Sequence, residues 1–390
     1  MMNLKLPTDV LNIIKTIEDA GYEAWCVGGS VRDMLRSHIP DDYDIASSAP
    51  CEIIENLFEK TIPTGIKHGT ITVVINHKPY EITRYRIDCE YSDNRHPLSV
   101  NYTANFKEDL ARRDFTINAI GFHPERKIFD PFGGMEDIER KIIRTVHNPD
   151  TRFNEDALRI LRAVRFSSTL SFPIEEETLA SIKRNAPKIK NISAERIMVE
   201  IKKALKGNNP AILSLIINNG GLVSFGLENI KNEELLNSLP NNYKLRFAAL
   251  CFLCKAEAKE IAKALKFSNL EIKEIEEFFN IFYEKIIEIS KIKRSLSNLS
   301  FDDLSDAVSA LEIIYSLSLS VLKEKIKIAQ KNNEPYNTSM LEISGDDLKD
   351  LGFKGKEIGT LQKNILDIVL HEPEKYKKEI LKILAKDLKL

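Results

Sequence analysis

Cysteine is scarce in this chain. Five in 390 residues, widely scattered, are too few for a disulfide framework and point to a reducing cytosol. Long apolar runs are also missing. None approaches the roughly 18 residues of a membrane span, so no membrane partner is expected. The start, MMNLKLPTDV, lacks a signal-peptide pattern. No fixed-period repeat and no low-complexity tract occurs. Hydrophobic residues at 43% and charged residues at 29% exclude a wholly disordered or collagen-like chain. The length predicts two to four domains, each able to bury a core. An excess of one charge is absent too, with 56 Lys+Arg against 58 Asp+Glu and a net −2. That average argues weakly against a nucleic-acid partner, but it hides a division. Residues 1–150 sum to −6, residues 151–390 to +4, and residues 181–210 alone to +6. The split fits an acidic metal-binding head joined to helices with a basic face.

Texture changes along the chain. Thr70–Ile75 is a β-branched run and reads as a strand. Pro79–Arg86 reads as a second strand, with Asn76-His77-Lys78 as the turn between them. Thr8 or Asp9 can cap a helix that Gly21 ends. A short strand, Ala24–Val27, leads through Gly28-Gly29-Ser30 into a helix around Val31–Ser37. The polar stretch between Asp88 and Asn105 has no period and reads as a mobile loop. From about Asn154 onward the apolar spacing is helical almost throughout.

GGSVRDMLRSHIPDDYDIAS is the most informative stretch. Gly28-Gly29 lets a ligand approach the backbone, and the following helix offers free N–H groups to phosphate. Arg32 reads as lying in that helix's first turn, where a cation opposes the dipole and an anionic ligand would justify it. Asp42 and Asp44 share one face if they lie on a strand. Two such carboxylates repel unless a cation sits between them, and hard oxygen ligands suit Mg²⁺. Taken alone, the glycine turn is equally an ordinary strand–helix junction, and Asp-x-Asp a solvated turn. Glu81, in a later β-branched strand, is a candidate third carboxylate or an edge-strand charge. The combination resembles the nucleotidyltransferase superfamily.

A second cluster follows. DLARRDFTINA places Arg113, Asp114 and Asn118 together, and DPFGG supplies a tight turn. In EDALRILRAVRF, Asp156, Arg159 and Arg162 fall three apart on a helix, with Arg165 one turn further. The plain alternative is a surface helix with an Asp156–Arg159 salt bridge. The chemical alternative is base selection. A carboxylate accepts from the exocyclic amine of cytosine or adenine, and a guanidinium donates to the ring acceptor beside it. Uracil and guanine offer a carbonyl there and would leave buried groups unpaired. Arg162 and Arg165 would then hold a triphosphate.

The stretches GGSVRD, DYDIAS, TGIKHGTITV, YSDNRHP, DLARRDFTINAI, DPFGG, EDALRILRAVRF and ISAERIMVEI, in that order, resemble class II CCA-adding enzymes, which are tRNA nucleotidyltransferases. They run from about residue 21 to 206, roughly half the chain. The resemblance implies an α+β fold: a head with a small mixed β-sheet, then an all-α neck, body and tail. The corresponding ranges are 1–150, 151–210, 211–335 and 336–390. It implies addition of CCA to tRNA from CTP and ATP, with Asp42 and Asp44 binding Mg²⁺ and Glu81 assisting. By the same resemblance Gly28, Gly29, Arg32, Arg113, Asp156, Arg159, Arg162 and Arg165 contact the nucleotide, and Asp114 and Asn118 position the sugar. Ser47 stands where the family commonly has Thr. The segment 88–105 would reshape the pocket between C and A addition. A CC-adding or A-adding specialist, a bacterial poly(A) polymerase, and more remotely a non-catalytic RNA-binding protein stay open. So do monomer and homodimer.

Beyond about residue 210 the resemblance weakens. Ile343–Leu348 with Gly352, Gly355 and Gly359 looks like the start of the tail. Those glycines either meet tRNA phosphates or mark helix packing turns. Cys251 and Cys254 read as buried small hydrophobes. No His is followed by Asp, so a His-Asp phosphohydrolase domain is not expected. His68 reads as a positioning residue.

Overall fold

The computed structural model describes residues 4–66, 69–88 and 100–388. Lys67, His68 and the YSDNRHP stretch lie outside the described residues. The chain divides into two compact units, Met1–Ser224 and Phe225–Leu390. Among the described residues no helix is long and apolar enough to cross a membrane.

The first unit is built on strands β1 (Ala24–Val27), β2 (Asp44–Ser47), β3 (Thr61–Gly65), β4 (Thr70–Ile75), β5 (Lys78–Arg84), β6 (Arg86–Asp88), β7 (Val100–Tyr102), β8 (Gly121–His123) and β9 (Lys127–Phe129). Seven of them form one sheet in the order β3-β4-β5-β2-β1-β8-β9, and β6 and β7 form a separate ribbon. The sheet is mixed, because β2 and β5 run parallel while its other pairs are antiparallel. The fold class is therefore the expected α+β head followed by helices.

Local chemistry explains most of these elements. Asn76 and His77 both have left-handed φ, 51° and 63°, as a two-residue hairpin turn requires. Ile75 consequently pairs with Lys78, which belongs to β5 and not to the turn. Every residue of β1 is buried, since the strand lies inside the sheet between β2 and β8. Trp25 stacks on Phe106 at 5.0 Å, in a cluster that includes Tyr85 and Leu110. Helix α1 (Thr8–Asp19) buries Val10, Ile13, Ile14 and Ile17, one apolar stripe at helical spacing. It starts after Pro7 without a side-chain cap, so neither Thr8 nor Asp9 caps it; Gly21, at φ 86°, follows its end.

Helices α2 (Gly29–Leu35) and α3 (Cys51–Leu57) follow β1 and β2. Of the stretch 88–105, residues 89–99 lie outside the described residues, and the described part is not loop alone. Arg86 pairs with Tyr102 across the β6–β7 ribbon, and the Arg84 guanidinium lies 4.0 Å from the centre of the Tyr102 ring. Asn105 then caps α4 (Phe106–Ala111) by accepting from the Lys107 N–H.

Four further helices follow, α5 (Gly134–Glu139), α6 (Pro149–Glu155), α7 (Leu158–Leu170) and α8 (Glu176–Asn185). With α9 (Ala194–Leu205) they belong to the same compact unit as the sheet. Packing is continuous across residue 150, where Ile143 exchanges backbone hydrogen bonds with Pro173 and Glu175. Helices α7 and α9 approach closely at Ser168, whose hydroxyl donates to the Ala204 carbonyl at 2.7 Å.

The second unit is helical. Its capping boxes at Ser268/Glu271, Ser300/Asp303 and Ser344/Asp347 start three of its helices. Cys251 is wholly buried, and burial pushes the Cys254 thiol up to about 12. Gly355, at φ 55°, caps the helix Lys356–His371, and Leu348, Ile365 and Leu381 share a core near the C-terminus.

Candidate active site

The site begins where β1 ends. Gly28 has φ 75° and ψ −135°, a conformation open to glycine, and turns the chain from Val27 into α2. A Cβ at Gly28 would lie 3.1 Å from Arg113 Nη1 and 3.7 Å from Asp44 Oδ2. A missing side chain thus makes room for a carboxylate and a guanidinium.

Val27 pairs with Asp44, so Asp44 is the first residue of β2. Asp42 precedes the strand and is exposed, because β1 has already turned away and offers it no partner. The strand reading therefore holds for Asp44 and fails for Asp42. Their charges still meet. Burial raises the Asp44 carboxyl, the Asp42 charge raises it further, and it reaches about 6 although Arg113 opposes. Glu81 adds a smaller push in the same direction. It is no edge-strand charge, since β5 lies between β4 and β2. The Ile45–Ile82 register sets Glu81 beside Asp44 on the neighbouring strand. Among the described residues no three His, Cys, Asp or Glu side chains gather closely enough to hold a metal. Glu81 reaches Asp44 through charge.

A network of arginines and carboxylates lies next to this pair. Arg32 donates from Nη1 to Asn118 Oδ1 at 2.9 Å and grips Asp33 with Nε and Nη2. Because α2 is only seven residues long, Arg32 falls in its last turn. The dipole argument for an anionic ligand therefore lapses; burial and the Asn118 contact hold Arg32 in place. Asn118 donates to Asp114 Oδ1 at 3.2 Å, and Arg162 Nε donates to Asp114 Oδ2 at 2.6 Å. Burial alone would raise Asp114, but Arg162 and Asn118 outweigh it and bring it down to about 2. Arg165 pairs with Glu200 at 2.6 Å. Arg113 pairs with the buried Asp109 at 3.3 Å.

Asp156 and Arg159 sit differently from the sequence reading. Asp156 is extended, at φ −142° and ψ 106°, and separates α6 from α7. It is not on the helix with the arginines. Its Oδ1 accepts from the Leu158 N–H at 3.0 Å, while its Oδ2 accepts from Arg196 Nη2 at 2.8 Å. The i,i+3 salt bridge between Asp156 and Arg159 is not the pairing adopted. Arg159 is buried, bonds Glu155 at 2.5 Å, and donates to the carbonyls of Arg152 and Arg112. These partners fix its guanidinium plane. Burial would weaken the Arg162 cation, but Asp114, Glu200 and Asp156 together outweigh it, which links the arginine network to the base-selecting candidates.

Sequence reasoning passed over Asp33, Asp109, Arg196 and Glu200, the partners that orient its candidates. Arg196 and Glu200 lie in ISAERIMVEI, so a charge sitting on the helical stripe of that motif was the available signal. Ser47 is buried, donates to the Glu23 carbonyl at 2.9 Å and accepts from the Ala49 N–H. Its hydroxyl is structural.

A glycine-lined strand–helix turn beside a crowded carboxylate, on a mixed sheet backed by cationic side chains, defines a nucleotidyltransferase head. The family described as "Poly A polymerase head domain" matches residues 24–144. The family described as "Probable RNA and SrmB- binding site of polymerase A" matches residues 171–221. The CCA-adding enzyme of Geobacillus sp. (strain WCH70) is 36% identical over 92% of this chain and 90% of its own. That of Staphylococcus haemolyticus is 34% identical, with both chains covered in full. The solved structure of the Bacillus stearothermophilus CCA-adding enzyme in complex with CTP aligns with a TM-score of 0.83 at 31% identity, covering 97% of each chain. The chain belongs to the CCA-adding enzyme family. Its members are nucleotidyltransferases that use divalent metal ions.

Proposed function

We propose that this protein adds C, C and A to the 3′ end of tRNA from CTP and ATP, without a nucleic-acid template. The observation that carries the reading is Asp44 beside Gly28, raised to about 6 by burial and by the charge of Asp42. Two hard oxygen donors whose repulsion is only partly offset suit a divalent cation, and Asp42 and Asp44 would hold Mg²⁺. With two carboxylates from the protein, the remaining ligands would be phosphate and water, as is usual for this ion. When bound, the metal supplies positive charge that favours ionisation of the attacking hydroxyl and offsets charge on the departing pyrophosphate.

The protein's own residues do the rest. The tRNA 3′ hydroxyl gives up its proton to solvent, its oxygen attacks the α-phosphorus in line, the α–β bridging P–O bond breaks, and pyrophosphate leaves. Gly28 and Gly29 leave room for the phosphates. Arg32, Arg113, Arg162 and Arg165 receive the triphosphate, and Asp114 with Asn118 positions the sugar. Asp156 accepts from the amine of cytosine or adenine, and Arg159 donates beside it. Arg196, Glu155 and two backbone carbonyls hold that carboxylate and guanidinium in place before a base arrives. Preorganised partners make rejection of uracil and guanine steep, because the wrong base leaves them unpaired. Glu81 tunes Asp44 through charge. The head at 1–150 carries the chemistry, the neck at 151–210 selects the base, and the body at 211–335 and tail at 336–390 engage tRNA. The few scattered thiols support a cytoplasmic setting for this work.

Calorimetry tests the reading. CTP and ATP should bind saturably and UTP and GTP should not, while Asp156→Ala should narrow the difference. Equal binding of all four nucleotides by the natural chain would refute it.

A further inference from the structure

Phe166 has no place in the chemistry described so far. It is 5% exposed, and its ring meets Phe115 edge-on at 5.7 Å. Three guanidinium groups surround it. The central carbons lie 3.9 Å from the ring centre for Arg165, 5.2 Å for Arg32 and 5.5 Å for Arg162. Arg162 and Arg165 come from the same helix, whereas Arg32 comes from α2, far away in sequence. Each is also held by a different carboxylate: Arg32 by Asp33, Arg162 by Asp114 and Arg165 by Glu200.

Three like charges around one point repel. Burial lowers the Arg165 pKa, and the charges of Arg162 and Arg32 lower it further against Glu200. An aliphatic side chain at 166 would fill the space and do nothing about that repulsion. An aromatic ring attracts cations to its electron-rich face, and more strongly where water is excluded. A cavity of about 440 Å³ opens over Arg32, Arg165 and Phe166, with Lys203 and Lys206 and the carboxylates of Asp33 and Asp41 also at its wall and Arg162 outside its lining. Two of the ring's three cations, Arg32 and Arg165, thus face a space in which cations outnumber carboxylates, and the third, Arg162, meets the same ring.

We infer that Phe166 is a positioning residue that holds Arg32, Arg162 and Arg165 as one cationic face for the triphosphate, setting nucleotide affinity without acting on base choice. The inference rests on the nucleotidyl-transfer reading above. It separates affinity, through the ring and its arginines, from selection, through Asp156 and Arg159.

Fluorination of the ring tests it in the full chain. Mono-, di- and trifluoro-phenylalanine at 166 weaken the cation attraction stepwise with little change in shape. KM for CTP and for ATP should rise with each fluorine, reaching about tenfold for the trifluoro ring. The kcat and the preference for CTP over UTP should stay unchanged. Phe166→Leu should match the trifluoro protein, and Phe166→Tyr should restore affinity. A KM that does not move along the series overturns the inference, as does a shift in base preference that tracks it. Calorimetry with CTP on the unmodified chain separates the two failures. Normal CTP binding with a flat series refutes only the role of Phe166, while no CTP binding refutes the nucleotidyl-transfer reading itself.

Discussion

Replacing Asp44 with asparagine should make the metal-free protein more stable and inactive at once. The Asp44 carboxyl moves from 3.8 to about 6 on folding, through burial first and the Asp42 charge second. A folded pKa above the unfolded one means that the ionised form opposes folding. The opposition is absent well below 3.8, grows as pH rises, and is complete above about 6. A shift of about two units corresponds to about 3 kcal/mol at neutral pH. The amide of the Asp44→Asn variant cannot ionise and escapes that opposition. For a unit of this size, such a gain raises Tm by roughly 6–12 °C. The assay is thermal unfolding by circular dichroism at pH 7.5 and at pH 4, with a chelator present. The gain should be large at pH 7.5 and mostly gone at pH 4. Added Mg²⁺ should raise the Tm of the natural chain and leave Asp44→Asn unmoved. A variant no more stable than the natural chain at pH 7.5, or a gain equal at both pH values, would refute the reasoning.

Three other outcomes follow from the same geometry. Asp42 is exposed and outside the sheet, so Asp42→Ala should abolish transfer and leave fold and tRNA affinity intact; near-normal turnover would remove it from the metal site. Arg196→Ala releases one of the two holds on Asp156 Oδ2 and Oδ1, and should raise UTP misincorporation about tenfold with little effect on KM for tRNA, read by single-nucleotide extension. Asp114→Ala leaves Arg162 without its carboxylate and should lower stability by on the order of 2 kcal/mol, discounted for the solvent that reaches Arg162. Because Asp114 is brought down to about 2, its contribution is full above 3.8 and disappears as pH falls through about 2, which acid titration of the natural chain and the variant would compare.

Some of this was legible in the residues themselves. The hairpin of β4 and β5 was readable because a β-branched run, a two-residue left-handed turn and a second such run are all local. The grouping of Gly28, Asp44 and Arg113 was visible only through the resemblance, since strand pairing and the Arg113 approach join distant segments. The break at Asp156 was not legible. EDALRILRAVRF contains no proline or glycine and reads as one helix. The interruption arises because the Asp156 carboxylate caps Leu158 and pairs with Arg196, forty positions on. Arg32 misled for a related reason. Its place near the start of a helix suggested a ligand, but helix length decides which turn it occupies, and α2 is short. Local chemistry sets elements and turns; the partners of charged side chains come from the tertiary fold.

Nucleotide addition to three tRNA substrates tests the central claim most directly. The substrates end at the discriminator base, at C and at CC, each supplied with one nucleoside triphosphate and Mg²⁺. C should be added to the first two from CTP and A to the third from ATP, with no U or G incorporated and no extension past CCA. Repeated addition of A to any of the three, or addition limited to C alone or to A alone, would contradict it.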